Sequence, residues 1–127
     1  ALISAFFIEY ILGHKPCNLC LIERVPYILS IVLVILVSIF KNFEKNIFLL
    51  LSIIFLLATL LSFYHFGIEQ GFIEESAVCN IELNNTRISC KNVDFRFFGF
   101  SLATINTFIS LIFSIIAFRI FINYEKK

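Results

Sequence analysis

The 127-residue chain contains no methionine and little charge: 15% of its residues are Asp, Glu, Lys or Arg, and the formal net charge is +1. Without an excess of one sign there is no basic field to gather a polyanion, and the aromatics are mostly phenylalanines inside apolar runs. Nucleic-acid binding therefore has no support. Internal repeats, Gly/Ser linkers and low-complexity tails are missing as well, so one domain suffices. No basic n-region is visible and no small-residue cleavage site precedes Lys15, which argues against a cleaved signal peptide. The first apolar run, 1–13, is expected instead to be the truncated end of a membrane helix. A dozen helical residues rise only about 18 Å against a hydrocarbon core of roughly 30 Å.

What the chain has in abundance is apolar length. Hydrophobic residues make up 60% of it and its mean hydropathy is +0.96, far outside the range of a soluble domain. Residues 21–40, 47–66 and 100–122 each supply about the 20 residues that a membrane helix needs. With the first run they predict an all-α, four-helix transmembrane bundle in a lipid bilayer, one integral domain. Its connectors are a short one at 41–46, which forces an antiparallel hairpin, and two loops at 14–20 and 67–99. Within the long loop, Phe72 to Val78 interleaves apolar and acidic residues, either as a short interfacial helix or as irregular chain.

Both loops carry cysteines, Cys17 and Cys20 in one and Cys79 and Cys90 in the other. Two complete spans separate the loops, so they share a side. The basic residues do not choose that side by number: Lys41, Lys45, Arg119, Lys126 and Lys127 flank one surface, and Lys15, Arg24, Arg87, Lys91 and Arg96 the other. The dense Lys41–Lys45 loop and the basic tail favour the cytosolic side for themselves. Disulfides persist outside the reducing cytosol, which places the cysteine loops on the periplasmic or extracellular face.

Pro16 is placed like a first-turn proline, so Cys17 and Cys20 are expected at a helix start, where unpaired N–H groups and the positive dipole end favour a thiolate. Arg24 follows Cys20 by one turn on the same face and adds a permanent positive charge, making Cys20 the better thiolate candidate. Pro26 is expected to bend the helix beside Arg24. His65, with Glu69 and Gln70 just beyond, is either a functional group at the membrane edge or an interfacial anchor. Glu9, a carboxylate among Phe6, Phe7 and Ile11, should face the bundle or sit protonated. A zinc site built from the four cysteines is disfavoured, because Cys79 and Cys90 lack the short paired spacing, and no metal is expected. Two inert disulfides are more plausible, although a bridge within Cys-x-x-Cys closes a very small loop and is more often redox-active.

The stretches Lys-Pro-Cys-Asn-Leu-Cys-Leu-Ile-Glu-Arg-Val-Pro-Tyr at 15–27, Tyr-His-Phe-Gly-Ile-Glu-Gln-Gly at 64–71, Ala-Val-Cys at 77–79 and Ser-Cys-Lys-Asn-Val-Asp-Phe-Arg-Phe-Phe-Gly-Phe-Ser-Leu-Ala at 89–103 resemble the DsbB family. Its members reoxidise a periplasmic thioredoxin-fold (DsbA-like) thiol oxidant and pass the electrons to membrane quinone. The resemblance implies a multi-pass protein of the bacterial inner membrane whose cofactor is ubiquinone or menaquinone. It implies that Cys79 forms the mixed disulfide with the partner, that Cys90 resolves it by pairing with Cys17, and that Cys20 faces the quinone. It also implies that Arg24 is associated with quinone binding and that His65, Glu69 and Gln70 border the quinone pocket. Glu9 and Glu23 depart from the pattern, standing where many relatives carry Gln. For electrons to flow from a strongly oxidising partner, the loop disulfide is expected to be exposed or strained rather than deeply packed.

Two other functions compete. A vitamin K epoxide reductase-like protein also couples cysteine pairs to quinone, but places its loop pair early and its membrane Cys-x-x-Cys late, the reverse of this chain. A non-catalytic membrane scaffold with two structural disulfides belongs to another class, and oxidation of the reduced protein by added quinone separates it from the enzyme.

Overall fold

Residues 2–80, 89–91 and 95–126 are described by a computed structural model; Arg87 and Lys127 of the basic-residue tally lie outside them. The elements in chain order are the helices α1 (Leu2–Tyr10), α2 (Asn18–Ile22), α3 (Val25–Ile39) and α4 (Glu44–Glu69), the strands β1 (Arg96–Phe97) and β2 (Phe100–Ser101), and α5 (Leu102–Glu125). Among the described residues, three helical segments are long and apolar enough to cross a membrane: Asn18–Ile39, Lys41–Glu69 and Leu102–Glu125. The expected first helix is present as the nine residues of α1.

The expected second helix is divided. Pro26 has no N–H for the Ile22 carbonyl and its ring would meet that carbonyl, so α2 ends at Ile22 and α3 restarts at Val25, with Pro26 in its first turn. The proline thus starts a helix instead of bending one from inside. Pro16 lies outside α2, because Cys17 is already the N-cap.

Helix α4 is longer than expected at both ends. Glu44 stands in its first turn, where a carboxylate suits the dipole. The far end runs on to Gly71 (φ +78°), where the Gly71 and Phe72 amides donate to the Ile68 and Gly67 carbonyls at 3.0 Å each. A left-handed glycine with this bond pair is a Schellman stop. Beyond it, residues 71–76 are irregular and Ala77–Asn80 forms a 3-10 turn, so of the two alternatives for Phe72–Val78 the chain takes the irregular one.

Helix α4 packs most extensively on α5 and less on α3. Small residues are frequent among the buried positions of the two helices, Ser52, Ala58, Thr59 and Ser62 on α4 and Ala103, Ser110, Ser114 and Ala117 on α5, and the Phe55 and Phe113 rings lie 5.2 Å apart between the same helices. Small side chains let backbones approach, which is how membrane helices associate when lipid is as apolar as leucine. Ser52 Oγ donates to the Ser114 carbonyl (3.2 Å) and Ser114 Oγ to the Ser52 carbonyl (3.0 Å). Val32 and Ile35 on α3, Leu57 and Leu60 on α4, and Ile112 and Ile115 on α5 point outward and are exposed.

A hairpin then re-enters the bundle. Arg96 pairs with Ser101 and Phe97 with Phe100, and Phe98 and Gly99, both at positive φ, make the two-residue turn such a hairpin favours. Ser101 caps α5, its Oγ accepting from the Thr104 amide at 3.3 Å.

Candidate functional site

Cys17 occupies the N-cap of α2, and its sulfur accepts from the Cys20 amide at 3.3 Å. On its other side lies His65 of α4, with Nε2 3.6 Å from Cys17 Sγ. The second ring nitrogen, Nδ1, donates to Glu23 Oε1 at 2.8 Å. Thiol, imidazole and carboxylate therefore stand in line, and the carboxylate selects the tautomer that turns Nε2 toward sulfur. Hydrogen bonding from Cys20 is the largest influence on Cys17; burial opposes it, and His65 adds to it through a hydrogen bond and through charge. The outcome is a Cys17 thiol lowered to about 5.

This reverses the order expected for the two sulfurs. Cys20 was favoured for its one-turn spacing from Arg24, but the break between α2 and α3 removes that register. Arg24 turns instead to α1, where its guanidinium donates to Glu9 Oε2 at 2.6 Å and lies 4.9 Å from the centre of the Phe6 ring. Glu9 therefore faces the bundle as expected, neutralised by a cation.

Behind Glu23 the polar line continues between helices. Asn106 Nδ2 donates to Glu23 Oε2 (2.9 Å) and to Ser62 Oγ (2.6 Å), Tyr27 donates to Asn106 Oδ1, and the Tyr27 hydroxyl is 2.9 Å from Ser110 Oγ. Such a network is stable in a bilayer only when its members satisfy one another. Asn106 and Tyr27 escaped sequence reasoning, although a lone amide inside the span 100–122 is the kind of intramembrane polar residue that marks a site.

Cys79 and Cys90 are joined as a disulfide, while Cys17 and Cys20 are free. The disulfide packs with Cys17, Leu19 and Ile68 in one buried cluster, and Asn18 Nδ2 donates to the Val78 carbonyl at 2.9 Å, tying the two loops together. Cys79 is 3% exposed and Cys90 2%, so the loop disulfide is deeply packed where an exposed or strained one is expected from the sequence. Ile73 of the irregular segment lies so close to Gly67 that a Cβ there would sit 2.6 Å from its Cδ1.

A cavity of about 630 Å³ opens beside these groups, within the size range of small-molecule sites. Its walls include Leu2, Phe7 and Ile8 of α1 and Leu102 of α5, and Cys17, Cys20, Arg24, His65, Glu69 and Cys90 all line it. Cys79 stands behind Cys90. Gln70, the C-cap of α4, is exposed and does not line the cavity. Glu69 does, with Oε1 3.8 Å from His65 Nε2 and Oε2 buried without a hydrogen-bond partner.

Comparison with known proteins gives a consistent assignment. An uncharacterized protein of Rickettsia prowazekii, RP370, is 36% identical over 80 residues, covering 63% of this chain and 46% of its own length. The SPbeta prophage-derived disulfide bond formation protein B of Bacillus subtilis is 29% identical over 99 residues, covering 76% of this chain and 61% of its own. The chain thus spans about half to three-fifths of the length of these curated relatives. No solved structure matches it. The family model of the disulfide bond formation protein DsbB matches residues 1–120, nearly the whole sequence, and the chain belongs to the DsbB family.

Proposed function

We propose that this protein is a membrane thiol:quinone oxidoreductase that reoxidises a DsbA-like periplasmic dithiol and sends its electrons through two cysteine pairs to ubiquinone or menaquinone. In this reading α1 completes a four-helix bundle with the three spans, in the bacterial inner membrane, and both cysteine loops are periplasmic. The observation that carries it is the Cys17–His65–Glu23 line, set against an apolar cavity lined by Cys20 and Arg24 and packed beside the Cys79–Cys90 disulfide.

A partner thiolate attacks Cys79 Sγ, the Cys79–Cys90 bond breaks and Cys90 leaves as thiolate. The partner's second thiolate then displaces Cys79, so the partner departs oxidised and the loop pair holds two electrons. Cys90 passes them on by attacking Cys17 of an oxidised Cys17–Cys20 pair, and Cys79 closes the loop disulfide again. The cavity fits a quinone: its walls are largely apolar, while Arg24 offers guanidinium donors at its edge. When bound, the quinone supplies a two-electron, two-proton acceptor. His65 Nε2 takes the Cys17 proton, Glu23 holds the ring for that transfer, and Cys17 closes on Cys20 to restore the inner disulfide. Glu69 borders the site beside His65, and Gln70 lies just outside it.

Burial of Cys79 and Cys90 favours a second reading, a scaffold whose loop bridge is structural. One experiment separates the two. The full chain, reduced anaerobically in detergent, should lose two thiols for each molecule of a ubiquinone or menaquinone analogue reduced. Persistence of all four thiols would reject the oxidoreductase reading.

A further inference from the structure

The sulfurs of Cys17 and Cys20 and a ring nitrogen of His65 all lie within 4.8 Å of one another. Donors on one tetrahedral Zn²⁺ sit about 3.3–3.8 Å apart, given bonds of about 2.3 Å to sulfur and about 2.0 Å to nitrogen or oxygen. Cys17 Sγ to His65 Nε2 is 3.6 Å, already that spacing.

Two further features surround the imidazole of this cluster. Glu69 reaches the same nitrogen, with Oε1 3.8 Å from His65 Nε2. Its side chain is 7% exposed, and Oε2 is buried with no hydrogen-bond partner while the residue lines the cavity that holds both sulfurs. A buried carboxylate oxygen without a partner is unfavourable, and a nearby cation relieves it. Behind the imidazole, Nδ1 donates to Glu23 at 2.8 Å. A carboxylate on the far nitrogen of a metal-ligating histidine fixes the ring and raises its basicity. Two sulfurs, one imidazole and one carboxylate are the donor types for a thiophilic d¹⁰ ion.

We propose that Cys17, Cys20 and His65 supply three donors of a site for a Zn²⁺-type cation, with the Glu69 carboxylate beside the imidazole, and that the site exists only while Cys17 and Cys20 are reduced. Thiolates that hold the ion cannot join each other, so occupancy and inner disulfide formation exclude one another. The site itself needs only these side chains; its effect on turnover rests on the oxidoreductase reading.

The test uses the full chain in detergent carrying Cys79→Ser and Cys90→Ser, so that the inner pair is the sole source of thiolate. After anaerobic reduction, Zn²⁺ titrated against a chromophoric chelator should bind at one equivalent, and Cd²⁺ should give a thiolate charge-transfer absorbance of two sulfurs. Oxidation of Cys17 and Cys20 to their disulfide should abolish both, and Glu69→Gln should weaken binding about 10-fold or more. Equal affinity in the oxidised and reduced protein, or a Cd²⁺ band of one sulfur, overturns the site; this comparison does not depend on any variant at the donors. Quinone-driven thiol loss in the same preparation without metal reports separately on the function, and saturating Zn²⁺ should slow it about 10-fold or more.

Discussion

Cys17 combines a backbone amide, a neighbouring thiol and an imidazole around one sulfur, and its reactivity should show it. With the thiol lowered to about 5, the reactive thiolate is present above that pH and lost as pH falls through it. Alkylation of Cys17 by iodoacetamide, followed by peptide mass, should therefore give a midpoint near pH 5, against about 8.5 for an ordinary cysteine. Because Cys20 is the largest contributor, Cys20→Ala should raise the midpoint more than His65→Gln, and Cys20→Ser, which retains a donor, should raise it less than Cys20→Ala. A midpoint unmoved by either replacement would remove His65 and Cys20 from the account. Arg24 tests a different step. Arg24→Gln should impair thiol loss to quinone far more than exchange with a reduced partner; equal impairment of the two half-reactions would reject its placement at the quinone.

Between elements, packing outweighs the hydrogen bonds that accompany it. The reciprocal Ser52–Ser114 bonds join α4 to α5, yet interhelical bonds in membranes average only about 0.6 kcal/mol. Ser52→Ala should therefore cost less than about 1 kcal/mol. Ser62, 0% exposed in the same seam, leaves no room for a larger side chain, so Ser62→Leu should cost about 1–3 kcal/mol by overpacking and also break the bond from Asn106. Unfolding in denaturing detergent, followed by helical circular dichroism, ranks the two; a larger loss for Ser52→Ala would reverse the explanation. The break between α2 and α3 belongs to this scale as well. It releases Arg24 from the Cys20 face and lets it hold α1 through Glu9.

For the molecule as a whole, the helix hairpin of α3 and α4 fixes a parity that orientation experiments can read. Phe72 is 83% exposed beyond the end of α4, and Asn42 is exposed in the turn at the opposite end. Single reporters at Phe72→Cys and Asn42→Cys, in a chain whose native cysteines are replaced by serine, should label differently with a maleimide that cannot cross the inner membrane. Intact cells should modify the first and not the second. The opposite pattern would invert the protein and end the proposed electron route. The native pair suits this purpose poorly, because Cys79 and Cys90 are buried.

Three long apolar helices, the cysteine motifs and the family could be read from the chain alone, because lipid imposes length and continuous apolarity on each helix and because the motifs are local in sequence. Pro26 was legible as a disturbance but not as the start of α3, since whether a proline bends or divides a helix depends on what its flanking residues can reach. Tertiary structure decided the site. His65 is 48 residues from Cys17 and Asn106 is 83 from Glu23, and such neighbours are joined by helix packing that leaves no sequence spacing. The same packing gave Arg24 to Glu9, made Cys17 the stabilised sulfur and buried the Cys79–Cys90 bridge, because a partner's identity in a low-dielectric interior is set by which groups the fold brings within reach.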